Sequence, residues 1–418
     1  MDRRVFLALA AAGIAGSAIA ETPAAQKPVA ESGATPRPAD LLGATGEGYF
    51  IDWLNGFYAQ ALAAGVARPV LDGALSGLSP DPRVLALDSR QPEFARPVSA
   101  YVHGAVSDQR IAIGRQKMQA IPQLQTIEQV WGVPREILVA IWAMESGFGA
   151  QTGDMDVIRS LATLAALGRR RPWAEGELMA CLKILGQGDA PRGMLRGSWA
   201  GAMGQTQMLP STYLAYAADG DGDGRRDIWG SAPDALASAA NLLSHDGWRR
   251  EEGWAREVIL PPGFDYGLAE GPAEVPFDWA GRGATRADGL AWSAREAAVP
   301  CVLLLPSGAQ GPAFLALPNH FVIRKYNNSL AYALTVGLLA DAFTGAGSLH
   351  TPWPVETSLS LNDRLAVQSA LASLGYNPGN ADGVIGLSTR QALRAWQKAN
   401  GLPADGYLSP DMVRRLRR

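Results

Sequence analysis

The chain has 418 residues, of which 47% are hydrophobic and 18% are charged, so it is long enough for more than one folded domain. This composition excludes a largely disordered or collagen-like protein. The formal net charge of -3, from 37 basic and 40 acidic residues, lacks the basic excess that is typical of nucleic-acid-binding proteins.

Residues 1–20 are predicted to be an export signal. Arg3 and Arg4 precede an apolar stretch that is too short, and too rich in Ala and Gly, to span a membrane. The sequence RRVFL at 3–7 also resembles a twin-arginine signal, although Asp2 stands where that signal prefers Ser or Thr. Because no cysteine follows the apolar stretch, lipid attachment there is excluded. We therefore expect an exported protein of the periplasm or cell envelope, soluble rather than lipid-anchored.

The next region combines a linker with a main domain. Residues 21–42 are rich in Pro, Ala and Thr without a hydrophobic period, which predicts a flexible linker. A main domain is predicted over 43–345, with apolar residues at helical spacing up to about residue 262. Apolar runs at 301–305 and 320–323 predict strands of a small sheet, and 328–343 predicts a further helix. The expected fold class is mainly α (α+β).

The tail is predicted to be a separate three-helix module at 359–418, after a linker at 346–358. The expected buried face of its first helix consists of Leu361, Leu365, Gln368, Leu371 and Leu374. Gly375 is expected to end that helix, Ser388 and Gln391 to form a capping box for the second, and Ser409-Pro410 to begin the third. Eight Lys and Arg against four Asp and Glu would suit an anionic polymer.

Glu145 is the most informative single residue. It follows the apolar sequence ILVAIWAM, and helical spacing places it on the same side as Ile137 and Ile141. Burial of a carboxyl without a cation raises its pKa, which suits a general acid for glycoside cleavage. The alternative is that the helix ends at Gly147 and Glu145 points into solvent.

A second segment, 197–213, is rich in small residues that allow close backbone approach. Ser198 and Gln207 in this segment can hydrogen-bond an amide or a hydroxyl. Taken alone, the segment could equally be a tight helix-packing stretch.

These segments together resemble the membrane-bound lytic transglycosylase B family, which acts on peptidoglycan. The resemblance runs from Phe57 to Phe343 and is carried by ordered motifs. They are Trp131-Gly-Val-Pro134, Met144-Glu-Ser-Gly-Phe-Gly149, Ser198-Trp-Ala-Gly-Ala-Met-Gly204, Gln207-Met-Leu-Pro-Ser211, Leu317-Pro-Asn319 and Arg324-Lys-Tyr-Asn327. The resemblance implies a lysozyme-like helical core and a lytic transglycosylase with Glu145 as its single catalytic acid and base. The substrate-binding residues that it implies are Tyr101, Ser198, Met203, Gln207 and Tyr326.

The implied reaction cleaves the bond between N-acetylmuramic acid and N-acetylglucosamine and leaves a 1,6-anhydromuramoyl end. Most glycosidases use two carboxylates, whereas this motif supplies one. A hydrolytic muramidase stays open as an alternative if Asp154, Asp156, Glu175 or Glu177 supplies the second, although each is expected to be an ordinary surface charge. A non-catalytic scaffold that binds peptidoglycan is the other alternative.

The segment 219–230 predicts a calcium loop. Asp219, Asp221 and Asp223, a glycine at position six and the Arg225 carbonyl match the start of an EF-hand loop. Position twelve is Gly230 rather than Glu, and the family resemblance implies Asp234 as the closing ligand. Calcium would be structural, with no cofactor for the chemistry. The alternative is a solvated Asp-Gly turn.

The remaining predictions concern the C-terminal module, the two cysteines and the expected partner. The C-terminal module resembles the three-helix peptidoglycan-binding domain, through Asp382-Gly383, Gly386, Trp396-Gln397 and Asp405-Gly406. It would tether the enzyme to its polymer and raise the local substrate concentration. Cys181 and Cys301 are too far apart in sequence for a zinc cluster and are expected to be buried thiols. The expected partner is the glycan strand, with neither nucleic acid nor a membrane span.

Overall fold

A computed structural model describes residues 44–88, 96–346 and 348–417. The predicted signal at 1–20 and the predicted linker at 21–42 lie outside these residues. In chain order the α-helices are α1 (Ala44–Ala63), α2 (Arg68–Leu75), α3 (Pro82–Asp88), α4 (Val98–Ala105), α5 (Asp108–Ala120), α6 (Gln123–Trp131), α7 (Arg135–Ser146), α8 (Val157–Leu167), α9 (Arg171–Gln187), α10 (Pro210–Tyr216), α11 (Ala232–His245), α12 (Pro276–Gly281), α13 (Pro318–Tyr326), α14 (Leu330–Thr344), α15 (Leu361–Ser373), α16 (Leu387–Ala399) and α17 (Pro410–Leu416).

The strands are few and short. They are β1 (Met155–Asp156), β2 (Arg196–Gly197), β3 (Ala255–Ile259), β4 (Thr285–Arg286), β5 (Val302–Leu304) and β6 (Ala313–Ala316). β1 pairs with β2, and the other four form an antiparallel sheet in the order β4-β3-β6-β5. The predicted fold class, mainly α with a small β part, is confirmed.

The described chain divides into two compact units. The first combines residues 44–88 with 145–239, and the second combines residues 96–144 with 240–417. The chain passes from the second to the first within α7, and returns within α11.

In the first unit, α8 is buried along its length and packs against α1, α3 and α9. Asp156 caps its N-terminus, because the Asp156 carboxylate accepts the backbone N–H of Arg159 at 3.1 Å. Such a cap satisfies one of the donors that the first helical turn leaves unpaired. Asp156 also pairs with Arg192 at 2.6 Å, so it is a structural group in the first unit.

In the second unit, the sheet buries an apolar core of Leu303, Leu315 and Trp279. The predicted strand at 301–305 is confirmed as β5, and the predicted helix at 328–343 is confirmed as α14. Cys181 in the first unit and Cys301 in the second are both free and buried, as expected.

The strand predicted at 320–323 is wrong, because these residues lie within α13. Pro318 occupies the first turn of that helix, where a missing N–H costs nothing. The buried side chain of Asn319 accepts the N–H of Arg249 at 2.8 Å and donates to the carbonyls of Arg249 and Glu252 at 2.9 Å. These partners are far away in sequence, so an apolar run of this length could not distinguish helix from strand.

The C-terminal module contains α15, α16 and α17 around a core that includes Val367, Leu393 and Trp396. The Ser409-Pro410 start of α17 is confirmed, because Ser409 accepts the N–H of Met412 at 3.3 Å. Gly375 ends α15 with φ of 87°, as expected.

Two details of the module were predicted wrongly. α16 begins at Leu387 after Gly386, so Ser388 lies inside the helix, and the capping box is instead formed by Ser360 and Asp363 of α15. Leu361 and Leu374, at the two ends of the predicted face, are exposed, whereas Gln368 and Leu371 of that face are buried, together with Arg364. The buried polar pair satisfies the backbone of the Asp382-Gly383 turn: Arg364 donates to the Gly383 carbonyl at 2.7 Å, and Gln368 accepts its N–H at 2.7 Å.

We predict that His320 makes the protein acid-sensitive. Burial, with a smaller contribution from Arg324, lowers the pKa of His320 from 6.5 to about 3. The unfolded chain therefore binds a proton between these values that the folded chain does not, so stability falls as pH drops from 6.5 towards 3, by at most about 1.4 kcal/mol per pH unit. Urea unfolding at several pH values measures how the free energy of unfolding changes with pH. This slope should be shallower for His320→Leu than for the parent, while the exposed control His245→Leu keeps the parent slope. Equal slopes for all three proteins would contradict the prediction.

Candidate active site

Helix α7 carries Glu145 into a buried position. Residues Leu138 to Ala143 are almost completely buried, and Glu145 itself is only 6% exposed. The helix ends at Ser146, one residue earlier than the alternative interpretation placed its end, but the carboxyl does not point into solvent. The apolar side of α7 therefore extends to the acid.

The chain turns sharply after Glu145. Gly147, Phe148 and Gly149 all have positive φ, at 58°, 62° and 83°. Ser146 fixes this turn, because its hydroxyl accepts the Gly149 N–H at 2.9 Å and donates to the carbonyl of Gln205 at 2.5 Å. One side chain thus joins the turn after the acid to the second motif.

The second motif is a folded loop rather than a helix-packing stretch. Met203 forms isolated β-bridges with Gly197 and with Met208. The hydroxyl of Ser198 accepts the N–H groups of Ala202 at 3.0 Å and Ala200 at 3.3 Å. With both contacts accepted by the oxygen, the hydroxyl hydrogen of Ser198 is available to donate elsewhere.

Gln207 connects this loop to the segment between Glu145 and β1. Its side-chain nitrogen donates to the carbonyls of Thr152 and Gly204, both at 2.9 Å. The side chain is 3% exposed, and its Oε1 has no hydrogen-bond partner among the described residues. Gln207 can therefore offer an acceptor to a ligand, while its two donors are used by the protein.

Two glycines allow the loops to approach closely. Gly153 has φ of 89°, and a Cβ built on it would lie 2.3 Å from the carbonyl oxygen of Gly197. Gly197 in turn has no room for a Cβ, which would lie 1.9 Å from the carbonyl oxygen of Ala202. The segment before β1 and the Ser198 loop thus touch backbone to backbone.

The four other carboxylates considered as partners of Glu145 differ in their surroundings. Asp154 is exposed, and Glu175 accepts the Trp53 indole N–H at 2.8 Å. Glu177 is buried, so its expected place at the surface is wrong. It accepts the backbone N–H of Ser211 at 2.9 Å and its hydroxyl at 2.7 Å, and burial raises its pKa. Glu177 thus caps the start of α10, a role whose partner is too distant in sequence for a motif to reveal.

The two tyrosines lie in the second unit. Tyr101 is half-buried in α4, and Tyr326 is half-buried at the last position of α13. The first unit brings together Glu145, Ser198, Met203 and Gln207 through the contacts of Ser146 and Gln207.

An aspartate cluster follows the second motif. Four carboxylates each offer an oxygen, and these atoms lie within 4.8 Å of one another. They belong to Asp219, Asp221, Asp223 and Asp234. Like charges this close repel each other unless a cation compensates them, and Ca²⁺ prefers such all-oxygen sets. These residues fit a calcium ion.

The loop closes through α11 rather than through its twelfth position. Asp234, buried in the first turn of α11, accepts the N–H of Gly220 at 2.8 Å and of Asp227 at 2.7 Å. The Arg225 N–H donates to Asp223 at 2.8 Å. The turn therefore keeps its shape through backbone contacts to carboxylates.

The aspartate loop is tied to the second motif. The backbone N–H of Gln205 donates to Ile228 at 2.9 Å, and its side chain donates to Trp229 at 3.2 Å. The hydroxyl of Thr206 donates to the Ala235 carbonyl at 3.2 Å. A change in the loop would thus reach the residues beside Gln207.

Two protein families match the chain. Residues 49–341 match the transglycosylase SLT domain, and residues 360–416 match a peptidoglycan binding domain. The chain is 33% identical over 222 residues to membrane-bound lytic murein transglycosylase B of Escherichia coli K12, over 51% of this chain and 58% of that protein.

Two solved structures are also similar to the chain. SltB3 of Pseudomonas aeruginosa, in complex with NAG-anhNAM-pentapeptide, is 48% identical with a TM-score of 0.85, over 88% of this chain and 99% of that chain. Slt35 of Escherichia coli, in complex with calcium, is 29% identical with a TM-score of 0.60, over 70% of this chain and 92% of that chain.

We predict that Gly153→Ala destabilises the first unit more than Gly147→Ala does. Both glycines have positive φ, which costs an alanine about 1–2 kcal/mol, but a Cβ on Gly147 meets nothing within 4 Å. The difference therefore isolates the clash with Gly197. Urea unfolding of both variants measures it, and equal losses of unfolding free energy would argue against the close approach of the two loops.

Proposed function

This chain belongs to the transglycosylase SLT domain family, and on that premise we propose that it is a lytic transglycosylase of peptidoglycan. It cleaves the bond between N-acetylmuramic acid and N-acetylglucosamine and produces 1,6-anhydromuramoyl ends. The observation that carries the proposal is the buried carboxyl of Glu145 at the end of an apolar helix, beside a loop of polar groups.

Glu145 acts first as an acid and then as a base. Its proton passes to the bridging oxygen as the glycosidic bond breaks, and the acetamido oxygen of the substrate stabilises the positive anomeric carbon. The carboxylate then takes the proton of the muramoyl C6 hydroxyl, whose oxygen bonds to C1. The glutamate is protonated again at the end, and water is neither consumed nor released.

Residues of the second motif hold the substrate. The Ser198 hydroxyl, which accepts two backbone N–H groups, donates its hydrogen to a substrate oxygen. The Gln207 Oε1 accepts from a substrate N–H or hydroxyl, and Met203 supplies apolar contact. Tyr101 and Tyr326 contact sugar rings, a role that rests on the family resemblance alone.

Calcium has a structural role in this proposal. The carboxylates of Asp219, Asp221, Asp223 and Asp234, with the Arg225 carbonyl, hold the ion and fix the loop beside Gln205. The calcium complex of the Slt35 relative supports this proposal. The ion takes no part in the chemistry.

The alternatives have less support. A hydrolytic muramidase needs a second free carboxylate near Glu145. Of the four considered, Glu177 is engaged by Ser211, Asp156 by Arg192 and Glu175 by Trp53, while Asp154 is exposed to solvent. A scaffold that only binds glycan has no need of a buried acid in an apolar helix. The proposal therefore favours catalysis with one glutamate.

The place of action follows from the polymer. We propose that the segment at 1–20 directs export and that the protein works on peptidoglycan in the periplasm or envelope. Within the described residues, none of the helices has the length and apolar character needed to cross a membrane. The module at 359–418 binds the same polymer, in line with its family match.

We predict that Glu145→Gln loses about a hundred- to ten-thousand-fold of the lytic rate, the usual contribution of a general acid and base. Asp154→Asn is the matched control, because it neutralises an exposed carboxylate nearby in sequence and should keep the parent rate. Turbidity loss of purified peptidoglycan measures both. Equal rates for Glu145→Gln and the parent would rule out the catalytic role of Glu145.

We predict that calcium raises the melting temperature of the parent but not of Asp219→Ala. A ligand that binds only the folded state stabilises it, by about 2.7 kcal/mol at 100 times its Kd. Asp265→Ala is the control, because Asp265 lies outside the cluster, is exposed, and also accepts a backbone N–H, that of Gly267 at 2.9 Å. Calorimetric scans with and without calcium test this. A parent whose melting temperature does not change on adding calcium would count against the site.

A further inference from the structure

The C-terminal module is fixed to the sheet region by a buried ion pair. The side chain of Glu270 is 8% exposed and accepts from Arg390 at 2.6 Å and from Arg394 at 2.7 Å, both in α16. Burial disfavours the ionised carboxylate of Glu270 and acts to raise its pKa. The hydrogen bonds and positive charges of the two arginines outweigh this effect and lower the pKa of Glu270. The Glu270 N–H also donates to the Leu303 carbonyl at 2.8 Å, which anchors it to β5. Because breaking a buried pair leaves uncompensated charge, this contact holds the module in one place.

Two further contacts close the same interface. The Asp405 carboxylate accepts the N–H of Ala309 at 3.0 Å, and a Cβ on Gly308 would lie 2.6 Å from that carboxylate. In the linker, Glu356 accepts the N–H of Ser99 at 3.0 Å and a hydrogen bond from Tyr407. The module, the linker and the sheet region are therefore joined as one body within the second unit.

These three segments enclose a cleft of about 390 Å³. One wall is the short turn Gly308–Gln310, another is the linker at 354–357, and the third is the module between 397 and 415. The volume is in the range of small-ligand sites. Ser307 lines the cleft, is 2% exposed, and its hydroxyl lacks a hydrogen-bond partner in the described part of the chain. The lining of the cleft thus includes apolar residues such as Pro354, Leu402 and Met412 together with an unsatisfied polar group.

The charges around the cleft disfavour an anionic ligand. Glu356, Asp405 and Asp411 line it against one guanidinium, that of Arg415, which pairs with Asp411 at 2.7 Å. The basic surplus of the module does not offset these charges, because each of its six arginines between residues 359 and 417 is paired with another group of the protein. Arg390 and Arg394 bind Glu270, Arg364 binds backbone carbonyls, Arg414 and Arg415 bind Asp411, and Arg417 binds Asp363. The basic balance of the module therefore does not extend to the lining of this cleft.

We propose that this cleft binds an uncharged, amide-bearing stretch of peptidoglycan, a site that rests on the proposed function. A secondary amide offers both a donor and an acceptor to a hydroxyl such as that of Ser307, and a neutral group avoids the carboxylates. The acetamido groups of the glycan and the amide bonds of the stem peptide share this chemistry. The cleft is formed jointly by the module, the linker and the sheet region. The bound polymer is therefore held at a fixed distance from the rest of the second unit and not on a flexible tether.

A fluorophore at the cleft tests the proposal. Val355 lines the cleft and is fully exposed, and the native cysteines are buried, so a dye will label Val355→Cys selectively in a Glu145→Gln background. Val130→Cys, exposed on α6, is the control position. We expect a saturable signal at Val355→Cys, and none at Val130→Cys, with either an N-acetylglucosamine tetramer or a neutral capped dipeptide, N-acetyl-alanyl-alanine amide, whose amide bonds stand for those of the stem peptide. The ligand that gives the signal identifies the source of the amide.

A cleft-filling variant tests where the ligand lies. Gln310→Trp narrows the cleft from the side of the sheet region and should weaken the response about tenfold, equal to ~1.4 kcal/mol of binding free energy. Gln116→Trp, on the exposed side of α5, is the matched control and should leave it unchanged. A response to neither ligand, or an equal response with and without Gln310→Trp, would overturn the proposal. Because the binding is measured without catalysis, a parent that releases no anhydro sugar would instead count against the proposed function.

Discussion

The burial of the Glu145 carboxyl is the constraint on which the rest of the candidate site depends. The acid stands at the end of an apolar helix, where an ionised carboxylate is costly without compensation. The surrounding chain is shaped to keep it there. Three successive residues with positive φ, 147–149, turn the backbone away after the helix ends, and Ser146 ties that turn to Gln205. A carboxyl held in this way is suited to carry a proton to a leaving oxygen and to take one back.

The site is built mainly from backbone contacts between short loops. Gly153 and Gly197 meet without room for a side chain, and Gln207 bonds the carbonyl of Thr152. The aspartate loop continues this arrangement, because it contacts Gln205 and Thr206 through Ile228, Trp229 and Ala235. A calcium ion bound by the aspartates would therefore stabilise the loop that carries the polar groups beside the acid, without taking part in the reaction.

The sequence predicted features whose cause is local and missed those whose cause is distant. The apolar run before Glu145, the spacing of the aspartates and the Ser409 cap are local patterns, and the structure contains each element. The run at 320–323 has the composition of a strand but is helical, because Pro318 and the partners of Asn319 decide it. Glu177 is expected at the surface from the sequence, and no sequence pattern singles out Glu270. Their partners, Ser211 and Arg390, are 34 and 120 residues away, so only the folded chain reveals them.

The central claim is that one buried glutamate cleaves the glycan by an intramolecular transfer. Mass analysis of the sugars released from peptidoglycan by the purified parent protein tests it most directly. The account predicts muramoyl ends that are lighter by one water than the hydrolysis product, because the C6 hydroxyl and not water attacks C1. Reducing muramoyl ends would contradict it and would require a second carboxylate beside Glu145.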